Sequence, residues 1–272
     1  MLSIHITKKS REKDERIRIL ITFHHEIFRN NKKDESFNFK RRRVEYCRLS
    51  LYRPFINAIK RIQQRYLKRP NPFSDGIVEE VVEREYSSEL KTLVYSVFQE
   101  NNPESNPLGL LCDHEGSKTY STKAWDVLCT EDRYPDIIIH KGDSPKDGIQ
   151  ELVCEIKRLS QLGADNMLLD LNKLITISGI EIWEGHGYRI PVFLVSNGTK
   201  SQLFEKCDNF RNNKHVILDL LSDENTKEEM TFAEYVTKHQ ERLKNILCIC
   251  HSSEGKVETC SVLDVVQSII MS

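Results

Sequence analysis

Two apolar, β-branched runs with charges set into them constrain this chain more than any other feature. Residues 134–140 read YPDIIIH and residues 150–159 read QELVCEIKRL. Between them lies KGDSPKDG, dense in residues that favour turns. Two such runs about a turn predict an antiparallel hairpin with a longer loop. With the turn centred between Pro145 and Lys146, residues whose numbers sum to 291 face each other, which sets Asp136 opposite Glu155. Strand alternation then puts Lys157 on the Glu155 face, one repeat along. Facing carboxylates repel, so something must offset them. A divalent cation does so, and hard oxygen ligands suit Mg2+ or Mn2+. A lysine beside such a cation orients an attacking water or stabilises developing negative charge. The cation lowers the pKa of bound water and neutralises a phosphoryl oxygen. These parts together describe phosphodiester hydrolysis. The plainer alternatives are an aspartate that opens a strand and a Glu–Lys surface pair worth little. Charges at the end of an apolar, central strand argue for the first reading.

The rest of the chain supplies a scaffold for that hairpin. Phe55, Ile59, Ile62 and Tyr66 recur at helical steps within residues 44–69, and Pro70 and Pro72 stop that helix. A second helix is expected over 76–99, with Val78, Val81, Leu90, Val94 and Val97 among its apolar positions. A short strand follows at Leu108–Asp113, then the hairpin, then a helix over 161–178. Arg189–Ser196 is nearly all apolar, as in a strand covered on both faces. Helix over 199–212, a buried strand at His215–Leu221 and helix over Thr231–Leu243 complete the reading. The order is that of an α/β fold, with helices packed on a mixed central sheet.

Pro135-Asp136 followed by Glu155-Ile156-Lys157 on the next strand resembles the PD-(D/E)XK nuclease superfamily. That group includes restriction endonucleases, junction resolvases and repair nucleases. The resemblance spans about residues 76 to 220 and implies a restriction-endonuclease-like αβββαβ core. It implies that Asp136 and Glu155 bind the metal and that Lys157 is the catalytic lysine. Many members add a glutamate from the helix before the sheet. Glu85, in Val82-Glu83-Arg84-Glu85, is the expected counterpart, with Glu83 and Glu89 as open alternatives. The implied activity is a Mg2+- or Mn2+-dependent nuclease acting on DNA, in restriction, phage defence or repair. Many nucleases with this fold act as homodimers to cut both strands, although these residues show no interface.

Charge adds a partner to this picture. Residues 1–70 hold 20 Lys and Arg against 7 Asp and Glu, leaving 20 against 34 for the rest. A segregated basic end suits a polyanion such as nucleic acid. Residues 1–72 are therefore read as a basic extension and 73–272 as the nuclease-like domain with a C-terminal helical elaboration. Lys40, Arg41, Arg42, Arg43, Lys60 and Arg61 are the expected phosphate contacts in the extension. Lys173, one turn after Asp170 on the 161–178 helix, is a further candidate, although a helical Asp–Lys pair is the plainer reading. Glu115 is a weaker candidate at the end of the first strand.

The eight cysteines are irregularly spaced, and the N-terminus lacks a secretory pattern. Free thiols in a reducing cytoplasm are expected, and no membrane span. Cys248, Cys250, His251 and Cys260 do not match the usual zinc spacings. Two other functions fit the same residues. One is a catalytically silent nucleic-acid-binding module of the same fold. The other is a subunit whose basic arm docks on an acidic protein.

Overall fold

A computed structural model describes residues 51–70, 78–80, 83–99, 110–114, 135–141, 150–178, 190–218 and 227–271, and the structural statements here concern these. Lys40, Arg41, Arg42, Arg43 and Glu115 lie outside them. The chain forms helix α1 over 51–61, strands β1 (Lys68–Pro70) and β2 (Val78–Glu80), and helix α2 (Glu83–Gln99). Strands β3 (Leu110–His114), β4 (Ile137–Lys141) and β5 (Gln150–Arg158) follow. Next come α3 (Ala164–Ser178), β6 (Ile190–Ser196), α4 (Lys200–Asp208), β7 (Lys214–Leu218) and β8 (Lys227–Thr231). Helix α5 (Phe232–Leu243), β9 (Leu247–His251), β10 (Val257–Ser261) and α6 (Val262–Met271) end the described chain.

Six strands make one mixed sheet in the order β10-β9-β6-β5-β4-β3. The β3–β4, β4–β5 and β9–β10 pairs are antiparallel, whereas β5–β6 and β6–β9 are parallel. Helices cover both faces. On one face, Ile138, Val153, Phe193 and Val195 pack with Met167, Leu171 and Leu174 of α3 and with apolar residues of α4, α5 and α6. On the other, Ile137, Ile139, Leu152, Cys154, Ile156 and Leu194 pack with Phe55 and Ile59 of α1 and with Tyr86, Leu90 and Val94 of α2. Alternation along each strand thus feeds two separate cores. Strand β6 is buried at all seven residues, which is why IPVFLVS carries no polar alternation.

The hairpin register matches the expected one where it matters most. Ile137, Ile138 and Ile139 face Cys154, Val153 and Leu152, each pair summing to 291. A bulge between Ile139 and His140 shifts the register on the turn side, so the symmetric hairpin holds only away from the turn.

Other expectations change. Of the expected 44–69 helix, residues 44–50 lie outside the described residues, 51–61 are helical, and the chain then gives way to a short 3-10 turn and β1. The 76–99 helix starts at Glu83, because Val78–Glu80 instead pairs with Lys68–Pro70. Residues 51–67, assigned above to the extension, bury Leu51, Phe55, Ile59, Ile62 and Leu67 in the same core as α2 and the sheet. Strand β7 is not a buried strand of the main sheet. It pairs with β8 in a separate ribbon, and Val216 is 64% exposed. The C-terminal part is not purely helical either. It adds β9 and β10 to the main sheet, with β9 parallel to β6.

Candidate functional site

The charged residues of the hairpin meet at the C-terminal end of β5, where open α/β sheets commonly bind ligands. Asp136 immediately precedes β4, and its Oδ2 accepts a hydrogen bond from the Ile156 backbone N–H at 2.7 Å. That bond ties the carboxylate across the hairpin, beside Glu155. Glu155 and Lys157 alternate with Val153 and so point to the α3 face of the sheet. Helix α3 answers with two charged residues of its own. Lys173 Nζ lies 2.7 Å from Glu155 Oε1 and 3.6 Å from Asp170 Oδ1. Asp170 Oδ2 lies 3.4 Å from Lys157 Nζ, and Glu83 Oε1, at the start of α2, lies 3.1 Å from the same ammonium.

Three carboxylates, Glu83, Glu155 and Asp170, thus pair with two ammonium groups, and Asp136 adds a fourth carboxyl beside them. Glu155 is 1% exposed and Asp170 7%. Both Glu155 Oε1 and Asp170 Oδ2 are buried, and each is met by a lysine ammonium, Lys173 and Lys157 respectively. Burial pushes the Asp136 carboxyl up to about 6, against the downward pull of the Ile156 N–H and the Lys157 ammonium. Burial likewise raises Glu155 well above the usual carboxylate range, and the pull of Lys173 does not cancel it. Burial works to lower Lys157, but Asp170, Glu83, Asp136 and Glu155 together outweigh it and raise it. Lys157 is accordingly a permanent cation, a donor rather than a base. Lys173 is raised in the same way by Glu155 and Asp170 against burial.

The structure brings together Asp136, Glu155, Lys157 and Lys173 from the sequence-derived set. It places Glu83 rather than Glu85 on Lys157. The reason is helical phase. Glu83 stands in register with the buried stripe Tyr86, Leu90, Val94 and Val97, whereas Glu85 is about 200° away around the helix. Phase with the apolar stripe was the signal that would have chosen it. Phase does not mark Asp170 and Lys173, which lie about 60° and 120° around α3 from Met167, on the side away from Leu171, and are buried all the same. Lys173 is buried in this network, so it is not a surface phosphate contact as it stands. Lys60 and Arg61 are exposed at the end of α1. His140 and Lys141 lie at the far end of β4 from Asp136.

The cysteines near the C-terminus lie elsewhere. Cys248 and Cys250 join the α3-side core, while His251 turns to the other face and meets Tyr86. Among the described residues, no three His, Cys, Asp or Glu side chains close on one point in a metal-holding arrangement. No described helix is long and apolar enough to cross a membrane.

Comparison with protein-family models, with curated proteins and with solved structures gave no match to this chain. The functional reading therefore stands on the geometry of the site.

Proposed function

We propose that this chain is a Mg2+- or Mn2+-dependent nuclease that hydrolyses phosphodiester bonds in DNA. The observation that carries the reading is the convergence of Asp136, Glu155 and Lys157 on one face at the end of β5, with the Asp136 carboxylate fixed by the Ile156 N–H. Among the described residues, the element order α2, β3, β4, β5, α3, β6 is compatible with the αβββαβ order that the resemblance implies.

A hard divalent cation fits the residues present. The donor set is oxygen, and in formal charge four carboxylates stand against two ammonium groups, which a cation would offset. Mg2+ keeps several waters and uses one or two carboxylates plus substrate phosphates, so a pair of protein ligands suffices. Asp136 and Glu155 would hold it. When bound, the cation supplies a water of lowered pKa and charge neutralisation at the phosphoryl group. Lys157, kept protonated by its four carboxylate neighbours, donates to the attacking water and to developing negative charge on the phosphoryl oxygens. Glu83 and Asp170 fix the Lys157 ammonium from either side. Exposed Lys60 and Arg61 and the basic run Lys40–Arg43 supply sequence-independent affinity for a phosphate backbone.

The test is cleavage of supercoiled plasmid, linear duplex, single-stranded DNA and RNA with Mg2+, Mn2+ or EDTA. Metal-dependent cutting is expected, and Asp136→Ala and Lys157→Ala are each expected to reduce it by on the order of a hundredfold or more. Full cleavage by Lys157→Ala overturns the assignment of that residue. One observation favours a second reading, a catalytically silent nucleic-acid-binding module: Lys173 already neutralises Glu155 at 2.7 Å. Metal-independent binding without cleavage of any substrate would select it.

A further inference from the structure

Lys173 stands on one of the two carboxylates assigned to the cation. Its ammonium lies 2.7 Å from Glu155 Oε1. Ammonium and cation cannot share that oxygen at full strength, because each would repel the other across a desolvated gap. A second anchor for the ammonium stands one helical turn away: Asp170 Oδ1, at 3.6 Å. Both Lys173 and Asp170 are on α3, so movement between the two anchors needs only side-chain rotation and no shift of the helix. The lysine stem has four methylenes, enough to carry the ammonium over such a distance. Asp170 also touches Lys157, so its carboxylate is shared by both ammonium groups.

We infer that Lys173 is a built-in counter-ion of Glu155 that a divalent cation displaces, with Asp170 receiving the released ammonium. The inference rests on the metal-site assignment made above. The network thereby satisfies Glu155 in two ways, by an internal lysine or by a bound cation. The lysine keeps a nearly fully buried carboxylate compensated when no cation is bound. Its cost is competition: cation affinity is reduced by whatever free energy the Lys173–Glu155 contact contributes. Lys173 is on this view a positioning residue that sets the metal affinity of the site.

Mn2+ binding to the full chain, without nucleic acid, tests this by isothermal titration or by loss of the free-Mn2+ electron paramagnetic resonance signal. Lys173→Met and Lys173→Gln are expected to bind Mn2+ about tenfold or more tightly than the unmodified chain, because the competitor is gone. Lys173→Arg, which keeps the charge, is expected to stay close to the unmodified chain. Thermal melts supply a second readout: the Met variant should melt lower than the unmodified chain without Mn2+ and gain more on its addition. Equal or weaker Mn2+ binding by both neutral variants overturns the inference, as does a chain that binds no Mn2+ at millimolar concentration. Failure of both variants to fold even with Mn2+ also overturns it, since the ammonium would then be a fixed part of the core. Because cleavage is not the readout, a chain that shows the exchange but cuts no substrate would defeat the nuclease reading and leave the exchange standing.

Discussion

At the scale of single residues, the distances separate groups that the sequence offers as equals. Glu83, Glu85 and Glu89 are chemically alike and share one helix, but only Glu83 contacts Lys157, at 3.1 Å. Glu83→Gln is therefore expected to slow metal-dependent cleavage on the order of tenfold, with Glu85→Gln near wild type, read as kcat on a short duplex. Asp136 gives a pH signature. Its carboxyl is raised to about 6 by burial, so below that pH it holds a proton that a cation must displace. Apparent Mn2+ affinity should fall by up to about tenfold per pH unit as pH drops below about 6, and flatten above it for this group. Asp136→Asn should weaken binding and remove that slope. An unchanged slope in the variant would assign the proton to another group.

At the scale of elements, the end of β5 is held by contacts that start far away in the chain. Asn197 follows β6 with φ of 57°, in the left-handed region, and its Nδ2 donates to Leu67 O at 2.8 Å. Gly198 follows, and its N–H donates to His251 O at 3.3 Å. A Cβ at Gly198 would stand 2.9 Å from Leu159 Cδ2 and 3.0 Å from Leu159 Cβ. Leu159 directly follows β5, so displacing it strains the strand end that carries Lys157. Gly198→Ala is expected to destabilise the fold by about 1–3 kcal/mol, measured as a lower urea midpoint with unchanged slope. A midpoint equal to wild type would mean that Leu159 moves aside freely.

At the scale of the whole molecule, two cores share one sheet, and buried polar groups tie the layers together. Tyr86 of α2 meets His251 of β9 through its hydroxyl and Nδ1 at 2.8 Å, 165 residues apart in the chain. His251 is fully buried, and burial lowers its pKa to about 4 from an ordinary 6.5. The folded chain therefore binds fewer protons than the unfolded chain between those values. This group's contribution to stability is present above pH 6.5 and is lost as pH falls toward 4. The slope approaches about 1.4 kcal/mol per pH unit for one proton. Thermal or urea unfolding across pH 7 to 4.5 should show that loss. His251→Gln should flatten the curve after the carboxylate background common to both chains is subtracted, and an identical slope would place the proton uptake elsewhere.

The sequence by itself determined the parts of the fold that are local. The β4–β5 pairing follows from two apolar runs about a turn-rich loop, and its register follows from simple counting, which is why Asp136, Glu155 and Lys157 could be grouped without coordinates. The apolar run of β6 likewise declared a strand covered on both faces. Tertiary structure alone decided what no local pattern encodes. Parallel pairing of β9 with β6 joins segments that no turn connects, so the C-terminal strands were not legible as part of the sheet. Strand β7 reads as apolar, yet it pairs with β8 in a ribbon outside the main sheet, because partner availability rather than composition places a strand. The choice of Glu83, and the entry of Asp170 and Lys173 into the site, depended on which helix face meets the end of β5. Charge compensation in a buried site is a property of atoms brought together from distant parts of the chain, and spacing along one element fixes only the candidates.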